Sequence, residues 1–128
     1  MLYWIKWNEI PWEEVNKKIS RKVVFRERIM MIMYRFGSHA VWPEEVHEPE
    51  QGGYVIKGKL VLNLPAQNER MILGPGDGYL IGSNVPHFWE TLDEESLFID
   101  IFSPPRKELL KDKFAPLASL HALDAKEQ

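Results

Sequence analysis

Short runs of β-branched and aromatic residues, each closed by a turn signal, recur through the middle of this chain and leave it few folds to choose from. Val23-Val24-Phe25, residues 29–36, Tyr54-Val55-Ile56, Leu60-Val61-Leu62, Met71-Ile72-Leu73, Tyr79-Leu80-Ile81, residues 87–91 and residues 96–102 all have strand composition. Lys57-Gly58, residues 65–69 and the dense Gly74-Pro75-Gly76-Asp77-Gly78 supply the reversals between them. About seven or eight short strands, with turns roughly every eight to twelve residues, predict an all-β domain closed into a sandwich or barrel. A length of 128 residues at 45% hydrophobic content suits one such domain with one core.

Both ends differ from this pattern. Residues 1–20 read as an N-terminal arm carrying Trp4, Trp7 and Trp12, aromatic enough that it must dock on a surface, with a second subunit as one candidate. Residues 21–106 form the barrel, which two prolines close at Ser103-Pro104-Pro105-Arg106. Residues 107–128 are a helix and tail, with 107–114 helical in character and 117–128 open to either a short helix or a frayed end.

Composition removes several classes of function. The formal charge of −3 is spread over mixed Lys/Glu segments with no basic run beside aromatics, so nucleic acid is not an expected partner. No apolar stretch approaches the roughly 20 residues that span a bilayer, and Met1-Leu2-Tyr3-Trp4 runs into charge, so the expectation is a cytoplasmic protein with no membrane partner. The chain has no cysteine, which excludes disulfides, thiolate metal sites and thiol nucleophiles together. Any metal must be held by imidazole, carboxylate or amide oxygen, and His39, His47, His87 and His121 are the scarce donors. His39 and His121 read as ordinary surface residues.

Glu45, His47 and Gln51 lie close together, and on an extended segment Glu45 and His47 project to one face. His87 follows about forty residues later at the head of another run, so only a fold that joins those strands completes a site with it. Asp100 alternates with Phe98 and Phe102, which predicts a carboxyl on an aromatic inner face with a raised pKa, suited to proton transfer. Pairing with a buried arginine and exposure at a strand edge are the alternatives. Arg106 has a planar fork that fits a substrate carboxylate, or it ties the C-terminal helix to the barrel by an ion pair.

These residues carry a family resemblance. Small cupins have a first motif G-x5-H-x-H-x3,4-E-x6-G and a second G-x5-P-x-G-x2-H-x3-N. His47, three residues to Gln51 and six more to Gly58 match the first, with Gln51 in the Glu position and Glu45 in the first His position. Gly76, Gly82, Asn84, His87 and Thr91 match the spacing of the second. Within cupins the chain resembles the small pectin-degradation type, which open the ring of 4,5-unsaturated monouronates. Pro11-Trp12-Glu13-Glu14, the stretch from Pro43 through His47 to Gln51, Gly74-Pro75-Gly76-Asp77, Asn84-Val85-Pro86-His87 and Asp100-Ile101-Phe102-Ser103-Pro104-Pro105-Arg106 fall in that family's order.

The resemblance implies a single-domain jelly-roll barrel, the cupin β-roll, with one divalent metal ion, Mn, Fe, Ni or Zn. It makes Glu45, His47, Gln51 and His87 the metal ligands and Asp100, Phe102 and Arg106 the substrate-facing catalytic group. Glu45 in place of an imidazole favours harder ions such as Mn²⁺ or Fe²⁺, or marks a branch that has lost its metal. Three functions follow as expectations. The first is a metal-dependent, isomerase- or lyase-like enzyme acting on a carboxylated sugar. The second is a non-catalytic small-molecule-binding cupin. The third is an Fe²⁺ dioxygenase, whose facial triad the Glu45, His47 and His87 set resembles. A homodimer is expected under all three, since an aromatic arm and open sheet edges need cover.

Overall fold

The computed structural model describes residues 3–111. Ten strands follow one another: β1 (Glu13–Asn16), β2 (Ile19–Phe25), β3 (Met30–Phe36), β4 (Val41–Glu45), β5 (Glu50–Lys57), β6 (Leu60–Leu64), β7 (Glu69–Leu73), β8 (Gly78–Ile81), β9 (His87–Glu90) and β10 (Ser96–Ser103). They form a six-stranded sheet in the order β1-β2-β3-β10-β5-β8 and a four-stranded sheet in the order β4-β9-β6-β7, antiparallel throughout. The all-β architecture expected from the run-and-turn pattern, and the jelly roll that the resemblance implies, are what is observed.

Alternation decides what fills the space between the sheets. On β3 and β10, every second residue is buried, and cross-strand register lines these residues up in rows. One row runs Arg21, Tyr34, Phe98, Val55; the next runs Val23, Ile32, Asp100, Gly53, Tyr79; the third runs Phe25, Met30, Phe102, Gln51, Ile81. Trp89 and Leu62 close the core from the smaller sheet.

Two glycines are steric necessities. Gly58 turns the β5–β6 hairpin at φ 74°, and a Cβ there would meet the Glu95 carbonyl oxygen at 2.0 Å. A Cβ on Gly53 would stand 2.1 Å from the Tyr79 ring, so the missing side chain is the slot that admits that ring to the interior.

Two strands have no clear mark in the sequence. Val41-Trp42-Pro43-Glu44-Glu45 and Glu13-Glu14-Val15-Asn16 are too acidic to advertise a strand, yet β4 is held by β9 and β1 by β2. Pro43 lies within the β4–β9 register shift between Trp42 and Glu45. The arm docks on its own subunit: Trp12 lies between Lys22 Nζ, 4.5 Å from its ring centre, and Arg35 Cζ at 4.3 Å, while Lys22 Nζ donates to the Trp7 carbonyl at 2.7 Å. After β10 a 3₁₀ helix spans Lys107–Lys111. The remainder of the helix expected over 107–114, and the tail over 117–128, lie outside the described residues.

Candidate metal centre

Glu45 ends β4 and stands in register opposite His87, which opens β9. His47 follows β4 directly, and its ring meets that of His87 edge-on at 4.9 Å between centres. Glu45, His47 and His87 each offer a donor atom, all within 4.8 Å of one another. Donors on one ion at roughly 2.0–2.2 Å sit about 3–4 Å apart, so a small contraction closes this set around a cation.

Both histidines are oriented for that role. His47 Nδ1 donates to the Pro49 carbonyl and His87 Nδ1 to the Val85 carbonyl, each at 2.8 Å. With the proton held on Nδ1, each Nε2 carries its lone pair into the site, the arrangement in which a backbone carbonyl sets the tautomer of a ligating imidazole. His87 is 1% exposed and its Nε2 has no hydrogen-bond partner among the described residues. Burial pushes the His87 pKa down, which keeps the ring neutral and the lone pair free. A buried acceptor without a donor is costly unless something electropositive occupies the space before it.

Gln51 adds a second sign. Its side chain hydrogen-bonds Asp100, the amide N–H donating to that carboxylate, while its Oε1 lies 3.1 Å from His47 Nε2. Gln51 Oε1 and His47 Nε2 thus stand close enough together to reach one cation. The donor set of two imidazoles, a carboxylate and a carboxamide oxygen therefore fits a divalent metal of intermediate hardness.

Asp100 is 3% exposed at the floor of this group. Desolvation raises its pKa to about 7, against hydrogen bonds from Tyr79 and Gln51 that favour the ionised form. Tyr79 Oη donates to Asp100 Oδ1. The role of Tyr79 was not apparent in the sequence; the only trace is a tyrosine at the inward position of Tyr79-Leu80-Ile81, and Gly53, which admits it, lies on another strand.

Phe102 walls the site, 5.6 Å from the His47 ring centre. Arg106 lies over Phe102, its Cζ 5.3 Å from the ring centre, and grips Glu45 with both fork nitrogens: Nη1 to Oε1 at 3.2 Å and Nη2 to Oε2 at 2.7 Å. Its Nε donates to Glu108 at 2.7 Å. Glu45, Asp100 and Arg106 share with Tyr34, Phe36, Trp42, Trp89 and Phe98 a cavity of only ≈ 10 Å³, about one water. Among the described residues that space is too small for a sugar, so a ligand reaches the group from the rim where Glu45, His47 and Arg106 lie.

Comparison with known proteins agrees with this geometry. Residues 32–102 match the Cupin_2 family, described as a cupin domain. The chain is 33% identical over 105 residues to the pectin degradation protein KdgF of Dickeya dadantii (strain 3937), covering 80% of this chain and 94% of that protein. It superposes on the structure of KdgF from Halomonas sp. with a TM-score of 0.76 at 32% identity, covering 86% of this chain and 99% of that one. An RmlC-like cupin from Shewanella frigidimarina NCIMB 400 shares the fold with a TM-score of 0.76 at 21% identity, covering 85% and 96%.

Proposed function

The chain belongs to the cupin family, within it to the KdgF pectin-degradation type, and on that premise we propose that it is a metal-dependent enzyme that opens the ring of an unsaturated uronate. The observation that carries the proposal is the buried Nε2 of His87, which has no hydrogen-bond partner among the described residues and lies within 4.8 Å of donor atoms of Glu45 and His47, with the desolvated Asp100 bonded to Gln51 beside His47.

In this reading His47, His87, Gln51 and Glu45 hold one divalent ion, of the Mn, Fe, Ni or Zn group. Such an ion, when bound, polarises a sugar oxygen as a Lewis acid. Asp100 moves the proton at its Oδ atoms, and a pKa of about 7 leaves it divided between acid and base forms near neutrality. Tyr79 Oη holds Asp100 Oδ1 in one orientation. Arg106 receives the uronate carboxylate on its fork, and Phe102 keeps water from one flank. Ring opening breaks the bond between the anomeric carbon and the ring oxygen as a proton passes from the anomeric hydroxyl to that oxygen, and tautomerisation of the resulting enol moves a proton from oxygen to carbon; neither step changes the net oxidation state, so no redox cofactor is needed for them.

The test is the ultraviolet signal of a 4,5-unsaturated uronate, followed with protein purified without tag-derived metal and then loaded with Mn²⁺ or Ni²⁺. The expected result is loss of that signal with wild type and not with Asp100→Ala. Metal-loaded wild type that behaves like Asp100→Ala, while still binding uronate tightly in calorimetry, replaces catalysis with the binding reading.

The proposal includes a homodimer in the cytoplasm. Leu80, opposite Gly52, is 92% exposed on the outer face that Tyr54 and Ile56 continue along β5, and β8 is an open edge, a surface that association would cover. Among the described residues no helix is long and apolar enough to cross a membrane. A monomeric mass in light scattering overturns the dimer.

A further inference from the structure

The position that the family motif gives to an imidazole is a carboxylate here, and both oxygens of that carboxylate are already taken. Arg106 Nη1 and Nη2 meet Glu45 Oε1 and Oε2 at 3.2 and 2.7 Å. The same Glu45 Oε1 stands 4.0 Å from His87 Nε2. Two donors on a common ion at about 2.1 Å lie roughly 3–4 Å apart, and this pair stands at the outer end of that range. Closing the group around an ion draws Glu45 towards His87, and in doing so loosens it from Nη1. A guanidinium bonded to Glu45 also presents a positive charge towards the incoming ion.

Arg106 is equally the group that would hold a ligand carboxylate, and it has one paired Nη edge for bidentate binding. That edge is the one now on Glu45. We propose that Arg106 exchanges between Glu45 and the ligand's carboxylate, so that a carboxylated ligand and the divalent metal tighten each other's binding. The inference rests on the metal-and-uronate reading above and adds the coupling between the two.

The sign follows from charge. When a ligand draws Arg106 away, Glu45 is left as an anion only 17% exposed at its side chain, a state that a cation relieves. When the metal arrives first and takes Glu45, the Arg106 edge is freed for the ligand. Coupling of this kind is reciprocal by thermodynamic necessity. Glu108 makes the exchange local: its bond to Arg106 Nε, at 2.7 Å, is on the other side of the guanidinium and keeps the side chain tethered while the Nη edge changes partner. A neutral imidazole at position 45 gives Arg106 no anion to hold, so the coupling belongs to chains with this glutamate.

Calorimetric titration of Mn²⁺ into the full wild-type chain, alone and with saturating D-galacturonate, tests it, with D-galactose as the uncharged control. The expected result is a Mn²⁺ Kd about fivefold or more tighter with galacturonate and unchanged with galactose. Chelation of Mn²⁺ by free galacturonate acts in the opposite direction. Arg106→Met is expected to tighten Mn²⁺ without sugar and to remove the galacturonate effect, and Glu45→His to keep Mn²⁺ binding while removing the effect. If His87→Ala abolishes Mn²⁺ binding but galacturonate leaves the wild-type Kd unchanged or weaker, the metal site stands and the coupling is overturned. A loss of Mn²⁺ affinity in folded Arg106→Met overturns it as well, because Arg106 then supports Glu45 as a ligand. If His87→Ala binds Mn²⁺ as wild type does, the metal site itself is wrong and the coupling falls with it. The wild-type titrations decide the matter even where Arg106→Met fails to fold.

Discussion

Phe98 and Asp100 are two residues apart on β10, face the same interior and meet opposite surroundings. Phe98 lies against Tyr34 at 5.5 Å, Phe36 at 5.0 Å and Trp89 at 6.3 Å between ring centres, in an aromatic layer. Asp100, one layer nearer the rim, touches Tyr79 and Gln51 and feels Glu45 and Arg106. The lower layer leaves room for about one water and no ligand. The upper layer contributes little to stability, because its buried polar groups are costly to desolvate. The fold keeps the two functions apart by a single step of the β pleat.

Phe98→Ala is the strongest way to break that division. It should cost about 3–5 kcal/mol in denaturant unfolding, and metal-free Phe98→Ala that remains folded should still bind Mn²⁺ in calorimetry.

Asp100→Asn works in the opposite direction. The folded pKa of Asp100, about 7, lies above its unfolded value, so the native state binds the extra proton between these two pH values. The carboxyl is therefore harmless near pH 4 and destabilises increasingly as pH rises to about 7, by roughly 4 kcal/mol in full. Metal-free Asp100→Asn should gain stability over wild type at pH 8 and lose that advantage at pH 4. Equal gains at both pH values would show that Asp100 is not desolvated.

Metal supplies the next effect. Mn²⁺ at about 100 times its Kd should stabilise wild type by ~2.7 kcal/mol, read as a rise in Tm, and His47→Ala or His87→Ala should remove the rise. The smallest change lies outside both layers. Trp12→Ala should cost about 1–2 kcal/mol through lost packing and cation–π contact with Lys22 and Arg35, leaving the Mn²⁺ Kd unchanged.

How much of this was legible beforehand differs residue by residue. The strands β2, β3, β5, β6, β7, β8, β9 and β10 follow runs visible in the sequence, because alternation and turn chemistry are local. β1 and β4 carry no such run, since their pairing comes from β2 and β9 and not from their own propensity. Asp100 is desolvated, as its place between Phe98 and Phe102 predicts. For Arg106 the sequence left two partners open, a ligand carboxylate or an ion pair with the C-terminal helix. It pairs with Glu108 in that helix through Nε and with Glu45 through both Nη atoms. That second contact spans 61 residues and no spacing rule reaches it.

By itself the sequence determined the all-β class, the turns, and the donor types available to a metal, because each depends on residues within a few positions of one another. Tertiary structure alone decided that His87 faces Glu45, that Tyr79 reaches Asp100 through the gap at Gly53, and that Arg106 closes on Glu45. Those juxtapositions depend on strand register, and register is set by burying whole faces of two sheets at once.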